Sequence, residues 1–133
     1  MRFPLRSAAV AVAVAATFAV AHSALAHETV TDHGVAVTMH VLPDDEPQAG
    51  KPSTIVIVSA KPPKGGRFTF KACTCAIKVT NAGGDVLLLR RTGKRTPFVF
   101  PDRAAYEITY SGTYRAKGAR TKRFNATFAL RAN

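Results

Sequence analysis

The chain has 133 residues, two cysteines, no tryptophan and a formal net charge of +11. This length suits one domain with one core, and two cysteines are too few for a disulfide scaffold. Such a basic balance predicts attraction to anionic surfaces or partners.

Residues 1–26 read as a secretory leader. Arg2 and Arg6 precede an unbroken apolar run from Ala8 to Ala21, and Ala24-Leu25-Ala26 is a small-x-small cleavage site. The run is shorter than the roughly 20 apolar residues that span a bilayer. No cysteine stands at the cleavage point to take a lipid. Cleavage after Ala26 leaves a secreted or periplasmic domain, 27–133, whose first residue is His27. With Arg2 and Arg6 removed, 17 Lys and Arg face 8 Asp and Glu, a net charge of +9. No later apolar run is long enough to cross a membrane.

Residues 27–34 are polar and suit an irregular segment or a short edge strand. Val35, Val37, Met39 and Val41 alternate with Ala36, Thr38 and His40, the period of a half-buried strand. Pro43 to Pro52 is a loop rich in Asp, Glu and Pro. Thr54 to Ala60 is a continuous β-branched run, the mark of a buried strand, and Lys61 to Gly66 is a turn. From Arg67 to Thr80 the apolar parity switches between Ala72 and Cys73, which predicts a β-bulge or a break between two strands. The thiols then face inward with Ile77 and Val79. Asn81 to Asp85 is a hairpin-like turn. Strands follow at Val86 to Arg91, Phe98 to Phe100, around Tyr106, Ile108 and Tyr110, and around Phe124, Phe128 and Leu130. Basic loops cover Thr92 to Pro97 and Gly112 to Lys122. Seven or eight short strands without a helix predict an immunoglobulin-like β-sandwich, with a small β-barrel as the alternative. The expected core includes Val37, Val56, Val58, Phe70, Ile77, Tyr106, Ile108, Phe124 and Phe128.

Three groups of residues could carry chemistry. After cleavage the α-amine and imidazole of His27 form a chelate suited to Cu(II). It needs a further ligand, for which His33, His40, Asp32 and Asp102 are candidates, with His33 favoured by its nearness in sequence. Cys73 and Cys75 form the second group. On a regular strand their Cα atoms would stand ~6.5–7 Å apart, at or beyond the reach of a disulfide. A bulge could bring the sulfurs together as a labile disulfide, a Cu(I) or zinc site, or an inert core pair. Met39 has core parity. The third group is basic: Arg90, Arg91, Lys94 and Arg95, then Arg115, Lys117, Arg120, Lys122 and Arg123. These suit an anionic partner. The aromatic residues lie at core parity and not on a stacking surface, which argues against sequence-specific nucleic-acid binding. No nucleophile triad, phosphate loop or pair of catalytic carboxylates stands out, so the reading is non-enzymatic.

The mature start at His27, the Pro43 to Pro52 loop leading into the Thr54 to Ala60 strand, and the final pair Ala105 to Tyr110 and Phe124 to Phe128 resemble the small exported YtkA-like and CopC-type bacterial domains. The resemblance implies Cu(II) held by the amino-terminal histidine, with an acidic residue and a later histidine. This chain has no histidine after His40, so His33, His40 or the cysteine pair would have to substitute. The leading expectation is an exported copper chaperone or buffer serving a copper-handling partner. A structural or interaction domain and a thiol–disulfide redox protein are the competing classes.

Overall fold

The computed structural model describes residues 28–91, 93–118 and 120–133. The expected leader and His27 lie outside the described residues. Eight strands, and no helix, are found among the described residues: β1 (Glu28–Asp32), β2 (Val35–Leu42), β3 (Pro52–Lys61), β4 (Ala76–Asn81), β5 (Val86–Arg91), β6 (Arg95–Val99), β7 (Ala105–Arg115) and β8 (Thr121–Arg131). They form two antiparallel sheets, β1-β2-β3-β6 and β5-β4-β7-β8. The chain crosses between sheets after β3, β5 and β6. Both sheets keep open edges, so the molecule is a β-sandwich and the barrel is not formed.

Alternation decides what each sheet buries. Val35, Val37, Met39 and Val41 of β2 are fully buried, as the period of two predicts. Opposite them lie Ile77 and Val79 of β4, Tyr106, Ile108 and Tyr110 of β7, and Phe124, Ala126, Phe128 and Leu130 of β8. Two phenols fix the strand ends. The Tyr106 hydroxyl donates to the Asp102 carbonyl at 2.8 Å and accepts from its N–H at 2.9 Å. A tyrosine bonded to the backbone just upstream of its strand is a corner typical of immunoglobulin-like sandwiches. The Tyr110 hydroxyl donates to the Gly93 carbonyl at 3.1 Å, and burial pushes its phenol well above the ordinary tyrosine range.

Of the alternatives left open, the structure takes the edge strand at 28–32 and the break before β4; the inward face of β3, the burial of Phe70, the loop 112–122 and the start of the Phe98 strand are corrected. Residues 28–32 form a true edge strand, closed by His33 and Gly34, both at positive φ (48° and 79°). Two left-handed residues between paired positions Asp32 and Val35 make the tight hairpin turn that matches strand twist. In β3 the buried residues are Ile55 and Ile57, whereas Val56 is half-buried and Val58 is 43% exposed. A continuous β-branched run carries no alternation from which to read parity. In addition, pairing jumps from Met39–Ile57 to Thr38–Ser59, which leaves Val58 unopposed and turns Ala60 inward. The parity switch at Ala72–Cys73 is a break: a turn spans 70–72, and β4 begins only at Ala76. Phe70 is accordingly half-buried, its ring edge-on to Phe68 at 5.1 Å. Finally, the supposed loop 112–122 is shortened at both ends, because β7 continues through a buried Tyr114 to Arg115 and β8 begins at Thr121. The Phe98 strand likewise begins earlier, at Arg95.

The parity of β3 is testable by chemical unfolding. Ile57→Ala should cost about 2–5 kcal/mol, and Phe124→Ala about 3–5 kcal/mol. Val58→Ala should stay within about 0.5 kcal/mol of the parent. Equal losses at Ile57 and Val58 would contradict the register.

Candidate functional sites at the two ends of the sandwich

Cys73 and Cys75 are joined as a disulfide, with their Cα atoms 5.1 Å apart. The sequence expectation of ~6.5–7 Å assumed a strand. Here the segment is irregular, the Cys73 N–H donating to the Thr69 carbonyl at 3.1 Å, and the span falls within disulfide reach. Cys75 is 4% exposed and belongs to the core, while Cys73 is half-buried. Thiolate ligation of a metal by this pair would first require reduction of the bond.

The bond rests on a position that the sequence reading overlooked. Gly112 continues the inward parity of Tyr110 and Tyr114 on β7, yet carries no side chain. A Cβ there would lie 2.5 Å from Cys75 Sγ, 2.6 Å from Cys73 Sγ and 2.9 Å from the Phe124 ring. The alternation Tyr110-Gly112-Tyr114 was the available signal. A loop this short restrains little of the unfolded chain, about 1.6 kcal/mol on chain-entropy grounds against about 3 for a 15-residue loop. The bond therefore contributes little as a staple.

Members of both basic clusters reach this end. Cys73 lines a groove of about 950 Å³ together with Arg67, Arg115, Lys117 and Arg123. Arg67 and Arg115 hold the groove wall through reciprocal backbone bonds of 2.7 and 2.9 Å. On the other side both cysteines line a smaller opening of about 320 Å³ with Phe70, Arg91 and Gly93. The Lys94 ammonium stands 5.4 Å from the centre of the Phe70 ring. Arg120 and Lys122 line an adjoining hollow with Lys64 and Lys117. Arg90 lies beside Arg91 on β5, paired across from Ile77, and Arg95 opens β6, paired with Val56.

The histidines do not converge. His33 stands at the turn before β2 and His40 near its far end, about 20 Å apart along the strand by the rise per residue. His33 is 74% exposed, and its Nδ1 donates to Asp32 Oδ2 at 2.7 Å. The same oxygen accepts the Asn125 N–H of β8 at 2.7 Å, tying the edge of one sheet to the edge of the other. The His33 hydrogen bond first, then the Asn125 amide, holds the Asp32 carboxyl below the ordinary carboxylate range. At the other end His40 Nδ1 donates to the Asp45 carboxylate at 2.9 Å, and Asp45 also accepts the Val41 N–H at 2.8 Å. Asp45 has a φ of 62°, a left-handed conformation that Asp tolerates. Asp45 was missed as a site residue because only the folded loop turns it back onto β2. Glu28, the first described residue, pairs with Met39 and so stands next to His40's row, whereas His33 ends the same hairpin at the other extremity. Asp102 is occupied at the Tyr106 corner through its backbone, and Met39 is fully buried in the core. Among the described residues, no group of three His, Cys, Asp or Glu side chains is placed to hold a metal ion.

No protein-family model, characterised protein or solved structure matches the chain.

Two outcomes follow from this geometry. Gly112→Ala should lower stability by about 1–3 kcal/mol, the usual cost of overpacking, measured by urea unfolding of the oxidised protein. Because the Asp32 carboxyl is depressed in the fold, its contribution is complete above the unfolded value near ~3.9 and is lost as pH falls through its lower folded value. Asp32→Ala should thus cost about 1 kcal/mol at neutral pH, less where solvent screens the contact, and nothing at strongly acid pH. Amide exchange at Asn125 should quicken in the same variant.

Proposed function

We propose that the processed protein is an exported copper chaperone or buffer that takes Cu(II) as cargo through the α-amine and imidazole of His27 together with His40. Chemistry supports the first part, since an amine and an imidazole on one residue chelate Cu(II) tightly. The observation that carries the second part is the His40–Asp45 pair beside the strand end where Glu28 enters. A carboxylate on Nδ1 sets the tautomer and aims ligation through Nε2, the arrangement that second partners give to metal-binding histidines. The register favours His40 over His33 as the additional ligand. Each donor must bind in its neutral form, so protons compete with the metal and affinity falls as the pH is lowered.

Competition titration of Cu(II) against a chromophoric chelator tests the reading, using protein that begins at His27. One extra residue before His27, or His40→Gln, should each weaken binding at least ~10-fold, and Asp45→Asn about 10-fold. His33→Ala should leave affinity unchanged. Binding by the native protein no tighter than by a variant lacking His27, His33 and His40 would remove the copper reading.

A further inference from the structure

We infer that Cys73–Cys75 is an exchangeable disulfide whose reaction partner is an anionic dithiol, a peptide or protein segment with acidic groups beside its two cysteines. The inference is independent of the copper reading and concerns the opposite end of the sandwich.

Four observations carry it. The two sulfurs differ in access: Cys73 is half-buried at the wall of the large groove, and Cys75 is 4% exposed beneath it. An incoming thiolate in the groove therefore meets Cys73 more readily than Cys75. The groove that admits it is lined by four cations, Arg67, Arg115, Lys117 and Arg123, with no acidic side chain among its lining residues. Fixed positive charge concentrates anionic thiols and favours the thiolate that does the attacking. Cys75 is not sealed off, because it also lines the smaller opening with Arg91, a positive charge on the side where the leaving sulfur gains its electrons. Lastly, Gly112 leaves room for the bond against β7, although the two-residue separation makes it a poor staple.

The exchange balances as two steps. The partner thiolate attacks Cys73 Sγ, a new S–S bond forms to Cys73, and the Cys73–Cys75 bond breaks. Its electron pair leaves on Cys75 Sγ, which takes up a proton from water. A second thiolate of the partner then attacks the partner sulfur of the mixed disulfide and releases Cys73 as a thiolate, which is protonated in turn. The partner dithiol is oxidised to a disulfide, and Cys73 and Cys75 are reduced to two thiols. The reverse sequence reduces a partner disulfide.

The test uses the oxidised protein and two small thiols of opposite charge, glutathione (net negative) and cysteamine (positive), with opening followed by acid trapping and mass spectrometry. Rates are normalised to the thiolate concentration of each reagent. Glutathione should react at least about 10-fold faster than cysteamine at low salt, and the preference should collapse at high ionic strength. Lys117→Glu with Arg123→Glu should reverse or abolish it. The salt dependence of the unaltered protein decides the matter if that variant does not fold. The trapped glutathione adduct should sit on Cys73. A bond that resists both thiols until the protein unfolds would overturn the proposal, as would an adduct on Cys75. Equal, salt-independent rates for the two thiols would overturn the anionic specificity.

Discussion

Two sheets can close on each other only if every inward position is filled, and β7 leaves one of those positions without a side chain. Tyr106, Ile108 and Tyr110 fill theirs, Gly112 does not, and Tyr114 does again. The gap is taken by the Phe124 ring from β8 and by the two sulfurs that arrive from the segment before β4. An empty space there would forfeit the contacts of everything around it. The irregular path of 67–75 follows from this requirement. A regular strand could not join both sulfurs over one glycine, since residues two apart share a face but stand ~6.5–7 Å apart at Cα, at or beyond the reach of a disulfide.

With the interior apolar, charged and titratable groups are left to the rims. The cationic groove and the disulfide occupy one end. The His40–Asp45 pair, with Asp44 and Glu46 in the same loop, stands toward the other. Among the described residues every fully buried side-chain polar atom has a hydrogen-bond partner, so the core itself stores no unsatisfied group for chemistry. Asp32 is the polar element that acts between the layers, joining the β1–β2 turn to β8 by one oxygen shared between His33 and Asn125. Most of the large exposed apolar side chains lie on outer strands, Val86, Leu87 and Leu89 on β5 and Val99 on β6, whereas Val58 lies on the inner strand β3.

Much of the fold was legible in order along the chain. Strong alternation marked β2, β7 and β8, and Gly, Pro and Asn marked the turns between them. The sites were less legible, because their partners are set by register. Glu28 pairs with Met39, and that pairing, not distance along the sequence, puts the start of the described chain near His40 and away from His33. Asp45 meets His40 only because the loop after β2 turns back through a left-handed residue. The basic residues were evident as two separate clusters. That both flank one disulfide is a consequence of β4 pairing with β5 on one side and β7 on the other.

By itself, then, the sequence determined the class of structure, the faces of its regularly alternating strands and the presence of a close cysteine pair, since these rest on local periodicity and residue type. The tertiary structure alone decided the inward face of β3, the break before β4, the accessible sulfur and the groove beside it. Each depends on contacts between strands distant in sequence. A single unopposed residue such as Val58, or a missing side chain such as that of Gly112, changes them without leaving a periodic trace in the chain.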